Sequence, residues 1–226
     1  MATLILRPIN DRSLKHSCSS GSSGYAMISE SSADDDSTYV YQTVTGRTST
    51  SETSSFTLGG TMPSGRFKIT KATLYVRGRS TGEYTYSGTY KLSIDSSASS
   101  MSLSTSYQTS SSTGVATSLI NNTYTSSNFP SLSVAITTTG KKSSTKDDDF
   151  QIRVTQVYLE LEYEEIVEDI YIKENGNWNK YSAVYKKENG IWVLQSNLTS
   201  IFDVNTNYVR GNWGDAKCLP KRIYLI

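Results

Sequence analysis

The stretch FKITKATLYV, residues 67–76, decides how the rest of the chain is read. Phe67 and Ile69 fall on one alternation, whereas Ala72, Leu74 and Val76 fall on the other. Apolar residues at every second position mark a strand with one buried face. A change of phase within an uninterrupted strand means that the inward face switches or that a β-bulge takes up one residue. Thr70-Lys71 is where the change falls. The stretch QIRVTQVYLELEY, residues 151–163, repeats the pattern: Ile152 and Val154 give way to Val157, Leu159, Leu161 and Tyr163 after Thr155-Gln156. Two strands bent in this way are predicted to lie side by side or on facing sheets.

Working outward, short alternating runs recur and no segment shows apolar residues at helical spacing. Leu4 and Leu6 open a first short strand, and Tyr25-Ala26-Met27-Ile28 and Thr38-Tyr39-Val40-Tyr41 read as two more. Phe56-Thr57-Leu58 stops at Gly59-Gly60; Tyr84/Tyr86, Tyr90/Leu92/Ile94 and Leu132/Val134/Ile136 follow, separated by Ser/Thr/Gly loops. Roughly eight to ten strands suit an all-β, antiparallel β-sandwich or jelly roll. The Ser/Thr-rich run from Ser96 to Thr113 reads as one long solvated surface loop. Glu164-Glu165-Ile166-Val167-Glu168-Asp169 breaks the pattern. The predicted organisation is a sandwich over 1–165, a small tandem hairpin module over 166–198 and a terminal segment over 199–226.

The hairpin module rests on YIKENGNWNKYSAVYKKENGIWV, residues 171–193, which carries Lys-Glu-Asn-Gly-x-Trp twice. Asn-Gly between extended runs is a strong hairpin signal, because a two-residue type I′ turn needs positive φ at both central positions. Turns at Asn175-Gly176 and Asn189-Gly190 would set Lys173 opposite Trp178 and Lys187 opposite Trp192. A lysine stem lying over an indole braces each hairpin; the functional alternative is that Trp178 and Trp192 form a platform for sugar rings. One hairpin alone is marginal in water, and two copies can support each other.

Charge names no partner: 22 Lys and Arg stand against 21 Asp and Glu in 226 residues, a net charge of +1. There is no glycine-rich phosphate loop and no basic stripe with interleaved aromatics; Lys141-Lys142 is isolated, and Lys217 with Lys221-Arg222 is a small terminal cluster. No nucleic acid is therefore expected as a partner. Nothing approaches a membrane-spanning run, and the start, MATLILRPINDRS, does not read as a signal peptide. Cys18 and Cys218 lack metal or redox spacing and read as two unpaired thiols, a disulfide between them being the alternative.

No catalytic set is apparent, and no enzyme is expected. His16 is the only histidine and reads as an exposed loop residue. Glu160 and Glu162 lie on the outward alternation of their strand, where solvated charge is normal; Glu164 and Glu165 follow them. Asp34-Asp35-Asp36 and Asp147-Asp148-Asp149 carry the hard oxygen atoms that calcium prefers. Neither has the spacing of a compact calcium loop, and Asp before a strand is ordinary turn chemistry. No cofactor is expected, structural calcium at either run being the alternative.

The opening LILRPINDRSLKHSCSSGSSGYAMISESSADDDSTYV, the strand QIRVTQVYLELEYEE and the paired K-E-N-G-x-W hairpins resemble bacteriophage virion structural proteins, especially from phages of Gram-positive or gut bacteria. In those proteins a jelly-roll or carbohydrate-binding-like domain is often joined to Asn-Gly-x-Trp repeats, and they serve as tail, tail-fibre, head-fibre or capsid-decoration components. The resemblance implies a virion protein held in multiple copies, a homo-oligomer partnered by capsid or tail proteins, and it supplies no catalytic residues. Within that reading Ile223-Tyr224-Leu225-Ile226 is the expected attachment element, the alternative being that it closes a sheet of its own domain. A host-surface glycan-binding adhesion module is the alternative function.

Overall fold

The computed structural model describes residues 1–144 and 147–166, and beyond them the strand segments 170–174, 177–181, 183–188, 191–194 and 222–225. The chain divides into two units: Met1–Met62 with Lys68–Glu164, and Pro63–Phe67 with Glu165–Ile226. The first unit is an all-β, antiparallel sandwich arrangement in which the described residues include only two single-turn 3-10 segments, Tyr25–Met27 and Thr117–Leu119. Its strands are β1 (Ala2–Ser13), β2 (Ser17–Cys18), β3 (Val40–Val44), β4 (Thr50–Gly59), β5 (Arg66–Ser80), β6 (Thr85–Leu92), β7 (Ser99–Met101), β8 (Gln108–Ser112), β9 (Thr123–Tyr124), β10 (Leu132–Lys141) and β11 (Phe150–Ile166).

The two bent strands lie side by side. β5 pairs with β11, and they run in opposite directions: Thr70 Oγ1 donates to the Glu162 carbonyl at 3.1 Å, whereas Thr81 N donates to that of Gln151 at 2.8 Å. The other edge of β11 is shared, with β3 along Phe150–Val154 and β1 along Leu159–Tyr163. Between those two partners the phase of β11 changes, so that Val154, Thr155, Gln156 and Val157 are buried in succession. There Val157 N donates to the Ile28 carbonyl at 2.9 Å, Thr155 Oγ1 to that of Thr38 and Gln156 Nε2 to that of Glu30. The bend is thus where a loop replaces a strand as neighbour. In β5 the burial switches at Thr70-Lys71, from Phe67 and Ile69 to Ala72, Leu74 and Val76.

β1 joins the two sheets. Ala2–Leu6 pair with β11, and from Arg7 onward the strand pairs with β4 in a sheet that continues through β10, β6 and β7. Pro8 has no N–H to give a ladder, and the register slips between Pro8 and Asn10. The first strand is therefore much longer than its two leucines suggest. Between the sheets lie Leu6, Phe56, Leu74, Val134, Ile136 and Leu159, each at most 1% exposed. A leucine-sized side chain buried in this way stabilises by ~1.5–3 kcal/mol.

Two local expectations are corrected. Tyr25-Ala26-Met27-Ile28 is not a strand. The Asp11 carboxylate accepts Gly24 N at 2.9 Å and Tyr25 N at 2.7 Å, taking donors that a ladder would use, and the chain turns there. The Ser96–Thr113 run is not a continuous loop: it contains β7 and β8, and β8 pairs with β5 from Leu74↔Ser112 to Gly78↔Gln108. Edge strands of this kind are held by backbone bonds and need no apolar side chains.

In the second unit β12 (Ile170–Glu174) pairs with β13 (Asn177–Tyr181), and β14 (Ala183–Glu188) with β15 (Ile191–Leu194). β16 (Arg222–Leu225) lies parallel to β14 as a third strand. The turns Asn175-Gly176 and Asn189-Gly190, together with Ile226 and Cys218, fall outside the described residues.

Candidate functional site

Outward positions on β5 and β11, with Tyr39 just before β3 and Tyr107 just before β8, build an Arg/Tyr cluster around the acidic run. Arg77 and Arg79 stand two residues apart on β5 and so share its outer face, and Arg153 lies outward on the neighbouring β11. Arg77 grips Asp35 with two bonds, Nε–Oδ1 at 2.6 Å and Nη2–Oδ2 at 2.7 Å. Asp36 Oδ1 accepts three donors: Arg79 Nη2 at 2.7 Å, Arg153 Nη1 at 2.8 Å and the Tyr107 hydroxyl at 3.1 Å. Arg79 lies 4.8 Å over the Tyr107 ring and Arg153 4.3 Å over Tyr39. Asp35 takes the left-handed conformation, φ 55°, which aspartate tolerates better than most residues.

The electrostatics follow from these contacts. The hydrogen bond from Arg77 holds the Asp35 carboxyl below its ordinary range. Burial, reinforced by Asp36, pushes the Tyr107 phenol up to about 12, so it stays a donor. The first acidic run is thus a clamp, with Asp34 capping its own turn by accepting Thr38 N at 3.1 Å. In the second run, Asp149 Oδ1 meets the buried Lys142 ammonium at 2.9 Å and Asp147 Oδ2 accepts Ser144 N at 2.6 Å. Those carboxylates are engaged with cations and backbone donors of the chain itself. Among the described residues no group of three His, Cys, Asp or Glu is placed to hold a metal ion.

His16 is corrected from an exposed loop residue to a buried one, 3% exposed. Its tautomer follows from its neighbours. The Thr50 carbonyl accepts Gln42 Nε2 at 3.0 Å, so Gln42 Oε1 faces Thr138 Oγ1 and accepts its proton at 2.8 Å. Thr138 then accepts from His16 Nε2–H at 2.9 Å, which leaves Nδ1 to accept from the Ser54 hydroxyl at 2.8 Å. Ser54 Oγ in turn accepts the backbone N–H of Lys15 and of His16. Every lone pair and proton on the ring is used, and burial lowers the imidazole pKa to about 4. Through Gln42, Thr138, His16 and Ser54 the network ties β3, β10 and β4 together. It is a structural link and offers no free nitrogen for chemistry.

The residues singled out in the hairpins are paired as their spacing requires. Lys173 faces Trp178 across β12 and β13, and Lys187 faces Trp192 across β14 and β15. Ile223, Tyr224 and Leu225 lie opposite Val184, Tyr185 and Lys186 on β14. The sequence reading missed Arg77, Arg79, Arg153, Tyr39 and Tyr107. The available signal was the pair of arginines at alternate positions of β5, downstream of a run of three aspartates.

No family model matches the chain, and no curated protein or solved structure matches it.

Proposed function

We propose that this chain is a non-enzymatic structural protein of a bacteriophage virion, an accessory component bound to the capsid or tail in multiple copies. In this reading the sandwich is of jelly-roll type, and the hairpin module is an appended assembly or presentation element. The observation that carries the proposal is the division of the chain into two different kinds of unit. One is a sandwich in which Asp35 and Asp36 are held by arginines and His16 by hydroxyls. The other is two copies of one hairpin, the second of which receives the β16 strand along an edge. Strand addition along an edge is a common way for chains to join, since it supplies backbone bonds without demanding particular side chains.

The direct test is a mass-spectrometric inventory of purified particles made by the genome that encodes this chain. The chain is expected at many copies per particle, and truncation after Ser200 should abolish its incorporation while leaving it soluble. Absence of the full-length chain from the particles overturns the proposal.

A further inference from the structure

The Arg/Tyr cluster holds a donor edge that the acidic loop does not fill. A guanidinium is planar, and its Nε and Nη2 hydrogens project from one edge as a fork. Arg77 uses that edge completely, with Nε on Asp35 Oδ1 and Nη2 on Asp35 Oδ2. Arg79 uses half of it: Nη2 meets Asp36 Oδ1 at 2.7 Å, while Nε is buried with no hydrogen-bond partner among the described residues. Arg153 Nη1 reaches the same Asp36 oxygen at 2.8 Å. The Tyr107 hydroxyl stands 2.9 Å from the Asp35 carbonyl oxygen and 3.1 Å from Asp36 Oδ1. Two guanidinium charges therefore converge on one oxygen of a single carboxylate.

The arginines are set into the sheet, whereas the carboxylate between them is not. The side chains of Arg79 and Arg153 are 23% and 18% exposed, against 60% for Asp36. Arg79 lies over the Tyr107 ring and Arg153 over Tyr39, and Arg153 Nε donates to Gln151 Oε1 at 2.8 Å. These contacts position both guanidiniums without Asp36. The loop is likewise anchored by the residues before it, since Asp34 accepts Thr38 N and Asp35 is gripped by Arg77. Asp36 can leave by rotating its own side chain, and the loss is small because water screens the ion pairs of an exposed carboxylate.

From this unfilled edge we infer that Arg79, Arg153 and Tyr107 form a binding site for a dianionic phosphate group, free or as a monoester, which Asp36 occupies in its absence. Two guanidiniums beside one carboxylate leave a positive charge unmatched, and a phosphate monoester carries close to two negative charges. Its three oxygens are enough to fill the Nε and Nη2 fork of Arg79 and still meet Arg153 and Tyr107, work that one oxygen of Asp36 now shares. A phosphodiester brings a single charge, as Asp36 does, so the site does not favour a nucleic-acid backbone. Lying wholly on the sandwich, the site is independent of any virion role.

The test is a phosphorus NMR titration of the full chain with inorganic phosphate, methyl phosphate and dimethyl phosphate at about pH 8, where a monoester is a dianion. Inorganic phosphate and methyl phosphate are expected to bind about tenfold more tightly than dimethyl phosphate. Binding of inorganic phosphate alone would assign the site to the free ion, and equal binding of methyl phosphate to a phosphate borne on a larger partner. Asp36→Ala removes the resident carboxylate and should tighten methyl phosphate binding by about tenfold, a gain that a misfolded chain could not produce. Adding Arg79→Gln to Asp36→Ala should remove that gain. The inference is overturned if Asp36→Ala binds methyl phosphate no more tightly than the unaltered chain, or if dimethyl phosphate binds as well as methyl phosphate. Displacement of methyl phosphate by an equal concentration of succinate also overturns it, because the site would then be one for paired carboxylates.

Discussion

His16 Nε2 lies 2.9 Å from Thr138 Oγ1, and because that hydroxyl already donates to Gln42, the contact fixes the imidazole as neutral with its proton on Nε2. A second proton on Nδ1 would face Ser54 Oγ, which is already accepting two backbone N–H groups. The fold therefore has no place for an imidazolium at this position.

The stability of the sandwich should fall on acidification before carboxylate titration dominates. The His16 pKa is about 4 in the fold against 6.5 for the free side chain, so between those values the unfolded chain binds the extra proton. Its contribution is complete above about pH 6.5 and is lost as pH falls through about 4, amounting to at most ~3 kcal/mol. Urea denaturation across this window checks it, alongside His16→Ala. The variant should be less stable at neutral pH by ~2–4 kcal/mol, since two buried hydroxyls lose their partner, and should show a flatter pH dependence. An unchanged pH slope would refute the assignment.

Asp36→Asn should be legible in Tyr107. Removing the carboxylate charge should lower the phenol pKa from about 12 towards its ordinary value, although burial, the larger cause, remains. Ultraviolet titration of phenolate absorbance follows the change. Because the Asp36 side chain is 60% exposed, the stability loss should stay near ~1 kcal/mol, solvent screening the ion pairs with Arg79 and Arg153.

The features most legible in the sequence were those carried by short-range pattern. The phase change at Thr70-Lys71 and the Lys-to-Trp register across Asn-Gly each depend on a few adjacent residues, and both are found in the structure. What escaped depends on distant partners. Tyr25–Met27 looks extended until Asp11 is seen to take its backbone donors, and β8 has no apolar residue to announce a strand. His16 sits in a polar stretch, and its burial depends on Ser54 and Thr138, brought from 38 and 122 residues away. The Arg/Tyr cluster was hidden for the same reason, since β5, β11 and the Asp35 loop meet only in the fold.

Gly78→Ala should weaken the pairing of the two bent strands. A methyl group there would stand 2.6 Å from the Arg153 carbonyl oxygen, and a backbone atom in mid-strand cannot move aside as a side-chain tip can. The expected loss is ~1–3 kcal/mol by denaturant unfolding. Gly114→Ala is the matched control, with nothing within 4 Å of the added carbon. It should be neutral or slightly stabilising, because alanine reduces the freedom of the unfolded chain.

The two Lys-to-Trp pairs should be coupled within each hairpin and not between hairpins. Lys187 faces Trp192 in the same register position relative to its turn as Lys173 does to Trp178. A double-mutant cycle with Lys187→Ala and Trp192→Ala should return ~0.5–1 kcal/mol of coupling, the range for cross-strand and cation–π pairs. Amide hydrogen exchange of β14 and β15 is the readout, because it reports opening of that hairpin without requiring the sandwich to unfold. The cycle pairing Lys173→Ala with Trp192→Ala should return a coupling near zero. Equal coupling in the two cycles would mean that the lysines act through a shared field and do not brace the facing indole, and the duplicated phrase would then need a different explanation.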